Sequence, residues 1–137
     1  MKVKMDNKQI IKELVFVLAG GSLGSSMRYL SYHFLDFDTK SPFPLKTFLV
    51  NAFGSFLIGF LTILFKIYDL SEVFKLFFIT GFIGSFTTFS TFSFETIQLY
   101  QNGHIKTAVL NVSASVIVGI VFVLLGISLA NAISVQQ

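Results

Sequence analysis

Four apolar runs, at residues 14–35, 47–68, 73–100 and 108–129, occupy most of this chain and decide what can solvate it. A helix needs about 20 mostly apolar residues to cross the hydrocarbon of a bilayer, so each run is long enough for one crossing. Lipid offers no hydrogen bonds to backbone groups, and a helix satisfies its own. The expectation is an all-α membrane protein of four transmembrane helices, forming one domain over residues 1–137. Composition agrees with this. Of the residues, 53% are hydrophobic and 12% charged, and 18 phenylalanines supply much of the excess. No water-soluble core needs that much apolar surface.

Other classes fall away on the same grounds. Cysteine is absent, which excludes disulfides and thiolate metal sites. The net charge of +3 comes from basic residues lying mainly outside the apolar runs, where they act as topology signals rather than a nucleic-acid footprint. Lys2, Lys4, Lys8 and Lys12 ahead of the first run resemble the start of a secretory signal. That run is too long for a signal's apolar core, and everything after it is equally apolar. No nucleophile-and-base spacing, phosphate loop or carboxylate pair suggests an enzyme.

Between the runs the sequence breaks where turn chemistry predicts. Residues 36–44, with two acids, a lysine and two prolines, form the first loop. Asp69, Leu70, Ser71 and Glu72 make a short hinge, with Ser71 placed to cap the next helix. Residues 101–106, containing Gly103, precede the fourth run. In the first run Gly20 and Gly24 make a small-residue step, repeated by Gly21 and Ser25, where another helix can approach closely. Lysines are modestly more numerous on the side of the N-terminus and second loop, which points to a cytoplasmic N-terminus.

The third run carries the most chemistry. Residues 81–95 read GFIGSFTTFSTFSFE, with Gly81, Gly84 and six hydroxyl residues at Ser85, Thr87, Thr88, Ser90, Thr91 and Ser93. Irregular backbone at membrane depth is tolerated only where protein or a water-filled cavity covers it, so a broken helix here predicts a polar path. Freed carbonyls would suit a hard cation, and freed N–H groups and hydroxyls an anion. The alternative is an intact helix whose hydroxyls bond back to the preceding turn. Phe89 and Phe92 share a helical face, with Phe86 one step earlier on the same stripe. Ring edges are electropositive and can favour an anion, although such a stripe also serves ordinary packing.

The second run has a polar stripe of its own, Thr47, Asn51 and Ser55 at i, i+4 and i+8. An amide in hydrocarbon needs partners, so the stripe faces either other helices or a conducted ion. A weaker row, Asn111, Ser115 and Gly119, lies on the fourth run. Arg28 and Glu95 are the charges well inside the apolar segments, and each reads either as functional or as snorkelling to an interface. His33 and His104 have no carboxylate motif beside them and suggest no metal site.

Three segments in order, GGSLGSSMRY (20–29), PLKTFLVNAFGSFLIG (44–59) and GFIGSFTTFSTFSFE (81–95), resemble the signature segments of the Fluc/CrcB fluoride channels. The resemblance covers nearly the whole chain, and TTFSTF followed by glutamate is its most specific part. It implies an antiparallel, dual-topology dimer in a bacterial inner membrane, with two pathways that let cytoplasmic fluoride leak out and relieve its toxicity. The partner subunit is a second copy or a paired non-identical chain. Asn51, Phe89 and Phe92 would line the pore, with Ser90 and Thr91 beside them and Thr47, Ser55 and Ser115 extending the polar row. Arg28 would stand near a vestibule, and backbone carbonyls of Gly84 and Thr87 would hold a structural Na⁺ at the dimer interface. Asn111 stands where many relatives carry a tyrosine. Two other readings stay open: a four-span exporter of lipophilic cations, and a structural membrane subunit. Exporters of that kind need an acid in the first span, and residues 14–35 contain none.

Overall fold

A computed structural model describes residues 6–35 and 41–134. Helix α1 is Asn7–Phe34 and α2 is Leu45–Ile67. The third crossing, Glu72–Gln101, is made of two pieces. Its first piece, α3, opens as α-helix over Glu72–Lys75, widens to π-helix over Leu76–Ile83 and closes as α-helix over Gly84–Phe86. Its second piece, α4, is Phe89–Gln101, and α5 is Ile105–Ser134. Four crossings are long and apolar enough to span a bilayer. Large apolar side chains such as Leu18, Val109, Ile117 and Leu124 stand exposed on their helices, as in a protein solvated by lipid.

Each helix begins earlier than its apolar run, and the third and fourth crossings also end later. The first starts at Asn7 rather than at residue 14, and the fourth runs from Ile105 to Ser134 rather than 108–129. Polar residues at an interface extend a helix without adding hydrophobicity, so periodicity misses them. At 1.5 Å per residue the 28-residue α1 is about 42 Å long, which reaches through the headgroups. Lys2, Lys4 and Lys40 of the topology pattern, and the first loop's residues 36–40, lie outside the described residues.

The two short connections are closed by left-handed residues past the helix ends. After α2, Asp69 takes φ 45° and Leu70 N–H bonds to the Phe65 carbonyl at 3.1 Å. After α4, Gly103 takes φ 81°, and His104 N–H reaches the Leu99 carbonyl at 2.8 Å. Both are helix C-caps that satisfy carbonyls the helix leaves orphaned. Ser71 precedes α3 as expected, but its side chain makes no cap bond; its main-chain carbonyl accepts from Phe74 N–H instead.

Backbone proximity, made possible by glycine, holds the bundle together. Gly20 and Gly24 of α1 face the main chain of Phe77 and Phe82, so the π-helical part of α3 lies directly on α1. Gly59 of α2 faces the main chain of Val123, and Gly126 of α5 faces that of Phe56 and Phe60. Between lipid-solvated helices there is no hydrophobic drive to associate, so close van der Waals packing of this kind carries the association. The second small-residue step behaves differently: a methyl at Gly21 would meet only the Ser85 hydroxyl, at 3.3 Å.

Gly24→Ala therefore forces two backbones apart, and overpacking of this sort costs about 1–3 kcal/mol. Gly21→Ala asks only a side chain to yield and is expected to be nearly neutral. Thermal unfolding of the two purified variants in detergent checks this: the midpoint falls for Gly24→Ala and not for Gly21→Ala.

Candidate functional site

The third crossing is broken, as the glycine and hydroxyl run predicted. Thr87 takes φ −78°, ψ 159° and Thr88 takes φ −148°, ψ 111°, two extended residues between helical neighbours. In an unbroken helix Thr88 N–H would bond to the carbonyl of Gly84. Here it bonds to Asn51 Oδ1 at 2.8 Å, and Asn51 Nδ2 donates to the Thr88 carbonyl at 3.1 Å. The amide of Asn51 thus stands in for a peptide group, and α2 holds the interruption from the side. Ser55, one turn further along α2, donates back to the Asn51 carbonyl at 2.8 Å.

The second piece restarts on a capped N-terminus. Thr88 is the N-cap: its Oγ1 accepts from Thr91 N–H at 3.2 Å and donates to Thr91 Oγ1 at 2.9 Å. Ser90 Oγ lies 3.3 Å from the same Thr88 hydroxyl. Both readings of the hydroxyl run are realised in part. Thr88 and Thr91 shape the break, while Ser93 and Thr96 bond back to the carbonyls of Phe89 and Phe92 at 2.9 and 2.7 Å. Thr87 Oγ1 likewise returns to the Ile83 carbonyl at 3.0 Å.

Beside the break lies a groove of about 280 Å³, lined among others by Asn51, Gly54, Ser55, Thr87, Thr88 and Phe89. Phe89 is 79% exposed in the single chain, and its ring centroid is 5.6 Å from that of Phe92 at 40° between planes. Phe86 does not continue this stripe. The break at residues 87–88 intervenes, and Phe86 is buried instead against Phe82 and Phe53, with centroids at 6.0 and 6.2 Å.

The polar residues of α2 divide between two places. Asn51 and Ser55 face the groove, whereas Thr47, 1% exposed, donates to Glu95 Oε1 at 2.9 Å and lies 2.8 Å from the Tyr32 hydroxyl. Glu95 is thus tied into the bundle rather than snorkelling. It also borders a second cavity of about 340 Å³ with Pro42, Pro44, Gln98, Asn102 and His104. Arg28 is half-buried on α1, one turn before Tyr32, and pairs with no acid among the described residues. On α5, Asn111 is 1% exposed and donates to Thr96 Oγ1 at 2.8 Å, a structural bond between α5 and α4. A methyl at Gly119 would sit 3.5 Å from Ser55 Oγ, so the row divides, with Asn111 against α4 and Gly119 against α2, and Ser115 lies between those two residues on α5.

Sequence reasoning missed Thr88 as the pivot, together with Tyr32 and Thr96. Thr88, a residue type suited to an N-cap, standing just ahead of the segment from Phe89, was a weak helix-start signal available in the sequence. Tyr32 had no local signal, because its partner Thr47 lies on another helix.

The family model described as CrcB-like protein, Camphor Resistance (CrcB), matches residues 15–127. A protein of Azobacteroides pseudotrichonymphae named fluoride-specific ion channel FluC is 45% identical over 118 residues, covering 85% of this chain and 94% of its own length. One of Elusimicrobium minutum with the same name is 43% identical over 125 residues, covering 90% of this chain and 98% of the relative. A Staphylococcus saprophyticus protein named fluoride-specific ion channel FluC 2 is 39% identical over 124 residues, covering 89% and 99%.

Replacing Asn51 with Leu leaves the N–H and C=O of Thr88 unpaired within the membrane. Each buried, unsatisfied group costs about 1–3 kcal/mol, so Asn51→Leu is expected to lower stability by several kcal/mol, and more than Ser55→Ala. Chemical or thermal unfolding in detergent, read by a probe on the third crossing, checks that order.

Proposed function

We propose, from the premise that the chain belongs to the CrcB family, that it is a multi-pass membrane channel through which fluoride passively leaves the cell, relieving its toxicity. The observation that carries this reading is the braced break. It sets the Asn51 amide, the hydroxyl residues Ser55, Thr87 and Thr88 and the ring of Phe89 along one groove within a membrane-spanning segment, with Phe92 next to Phe89. Fluoride is small and tightly hydrated, so a selective path must replace its water with several donors and exclude larger halides by fit. Asn51 commits one amide hydrogen to the Thr88 carbonyl and retains a second for an anion in the groove. Ser90 and Thr91 open the restarted helix, whose N-terminus favours negative charge. The edges of Phe89 and Phe92 continue the route. Ser55 and Ser115 extend the polar lining, and Arg28 supplies positive potential toward a mouth of the path.

A second copy completes the protein in this reading. The groove carries the polar side chains of Asn51, Ser55, Thr87 and Thr88 among apolar ones, is open in the single chain and is flanked by the exposed ring of Phe89. Polar, non-helical backbone facing lipid is prohibitively costly, so another subunit is needed to cover it. An antiparallel homodimer in the bacterial inner membrane does so with two equivalent pathways. Pairing with a non-identical relative is the variant of this arrangement that numbered names such as FluC 2 bring to mind.

The donor set at the break also suits a structural Na⁺. The Gly84 carbonyl loses the Thr88 N–H that an intact helix would supply, and Thr87 is extended, outside the helical ladder. Neutral carbonyl oxygens are the ligands a hard cation takes. Among the described residues no group of three or more acids or histidines competes for that role. Gly84 and Thr87 of each subunit would hold the ion, which would add fixed positive charge between the two paths.

Reconstituted in fluoride-loaded liposomes, the protein is expected to release fluoride to an external electrode while retaining chloride. Phe89→Ile, Phe92→Ile and Asn51→Ala are each expected to slow the release at least tenfold. Vesicles no leakier to fluoride than protein-free ones would refute the channel, and three variants at the wild-type rate would remove these residues from its path.

A further inference from the structure

Tyr32, Thr47 and Glu95 come from α1, α2 and α4 and meet in one hydrogen-bonded row. The direction of that row follows from proton counting. Thr47 has a single hydroxyl proton and gives it to Glu95 Oε1, so toward Tyr32 it has only lone pairs to offer. The Tyr32 hydroxyl, 2.8 Å away, is therefore the donor. Thr47 is 1% exposed, so in the folded chain its hydroxyl is met by these two side chains and not by solvent. The Tyr32 backbone is itself tied to the start of α2, because Lys46 Nζ donates to its carbonyl at 3.0 Å.

Glu95 lies at a sensitive position. It lies one turn beyond Phe92 on α4 and borders the cavity at the end of the bundle. Its second oxygen, Oε2, is buried and has no hydrogen-bond partner among the described residues. On the channel reading, an anion that travels along α4 between that cavity and Phe92 passes this carboxyl group. A carboxylate free to swing would repel it.

We propose that Tyr32 is a positioning residue for anion passage: by donating to Thr47 it commits the Thr47 proton to Glu95 and so keeps the carboxyl group fixed against α2. This rests on the channel reading above. A donor polarised by a second donor is a stronger one, so the phenol also tightens the Thr47–Glu95 bond and draws charge away from the path.

The test is fluoride efflux from liposomes carrying Tyr32→Phe, Thr47→Val or Thr47→Ser, each in the wild-type and the Glu95→Gln background. Removing one hydrogen bond of this kind is expected to slow efflux about threefold to tenfold for Tyr32→Phe and Thr47→Val. Thr47→Ser keeps the hydroxyl and is expected to keep the rate. With Glu95→Gln the charge is gone, so neither Tyr32→Phe nor Thr47→Val slows efflux further. A purely structural tyrosine would give the same loss in both backgrounds, and that result overturns the proposal. So does a wild-type rate for Tyr32→Phe, or a Glu95→Gln channel that conducts nothing. Should Tyr32→Phe fail to fold, the Thr47→Val and Thr47→Ser pair decides by the same comparison. Absence of efflux from the wild-type protein would instead refute the channel reading itself.

Discussion

Everything distinctive about this bundle depends on one side chain answering one peptide group. A helix interrupted inside a membrane strands backbone donors and acceptors that water cannot reach, and each stranded group costs several kcal/mol in lipid. Asn51 meets both faces of Thr88, accepting from its N–H and donating to its carbonyl. Its amide has the donor and acceptor pattern of a peptide, which a hydroxyl or a carboxylate lacks. One turn along α2, Gly54 leaves space for the Thr87 methyl, where any side chain would collide. α2 therefore binds the break at one residue and makes room for it at the next.

The other contacts fix where that break stands. α1 lies against the π-helical part of α3 through Gly20 and Gly24, and α2 and α5 are joined through Gly59 and Gly126. A π-helical turn carries one extra residue, so it rotates the residues after it relative to a plain α-helix. Here eight such residues precede the interruption, and they bring Phe86 inward while the chain past Thr88 turns Phe89 outward. The restarted α4 is held twice, by the Thr88 cap at its start and by the Thr96–Asn111 bond in its middle turns. An anion path built from such parts needs little motion, because its donors are already held in place.

Much of this was legible in the sequence, for reasons that also mark where legibility stops. The crossings and the interruption could be read because apolar length and clustered glycine and hydroxyl residues are local signals. The stripe of Thr47, Asn51 and Ser55 could be read as one face of a helix, but not the division of that face. Thr47 went to Glu95 and Tyr32 while Asn51 went to the break, and both choices depend on neighbours far along the chain. The π-helix gave no sign, since LFFITGFI reads as any apolar helix. Phe86 was placed with Phe89 and Phe92 because periodicity assumes the unbroken rod that the threonines interrupt. The helix ends were missed where polar residues continue a helix into the interface.

The central claim is that two residues in the middle of the third crossing are extended and held so by Asn51. Solid-state NMR of the isotopically labelled protein in lipid bilayers measures this directly. The account predicts extended-type Cα and Cβ shifts at Thr87 and Thr88, helical shifts at Phe86 and Phe89, and a through-space contact between the Asn51 side-chain amide and the Thr88 backbone. Helical shifts running without interruption from Gly84 to Phe92, with no such contact, would contradict it.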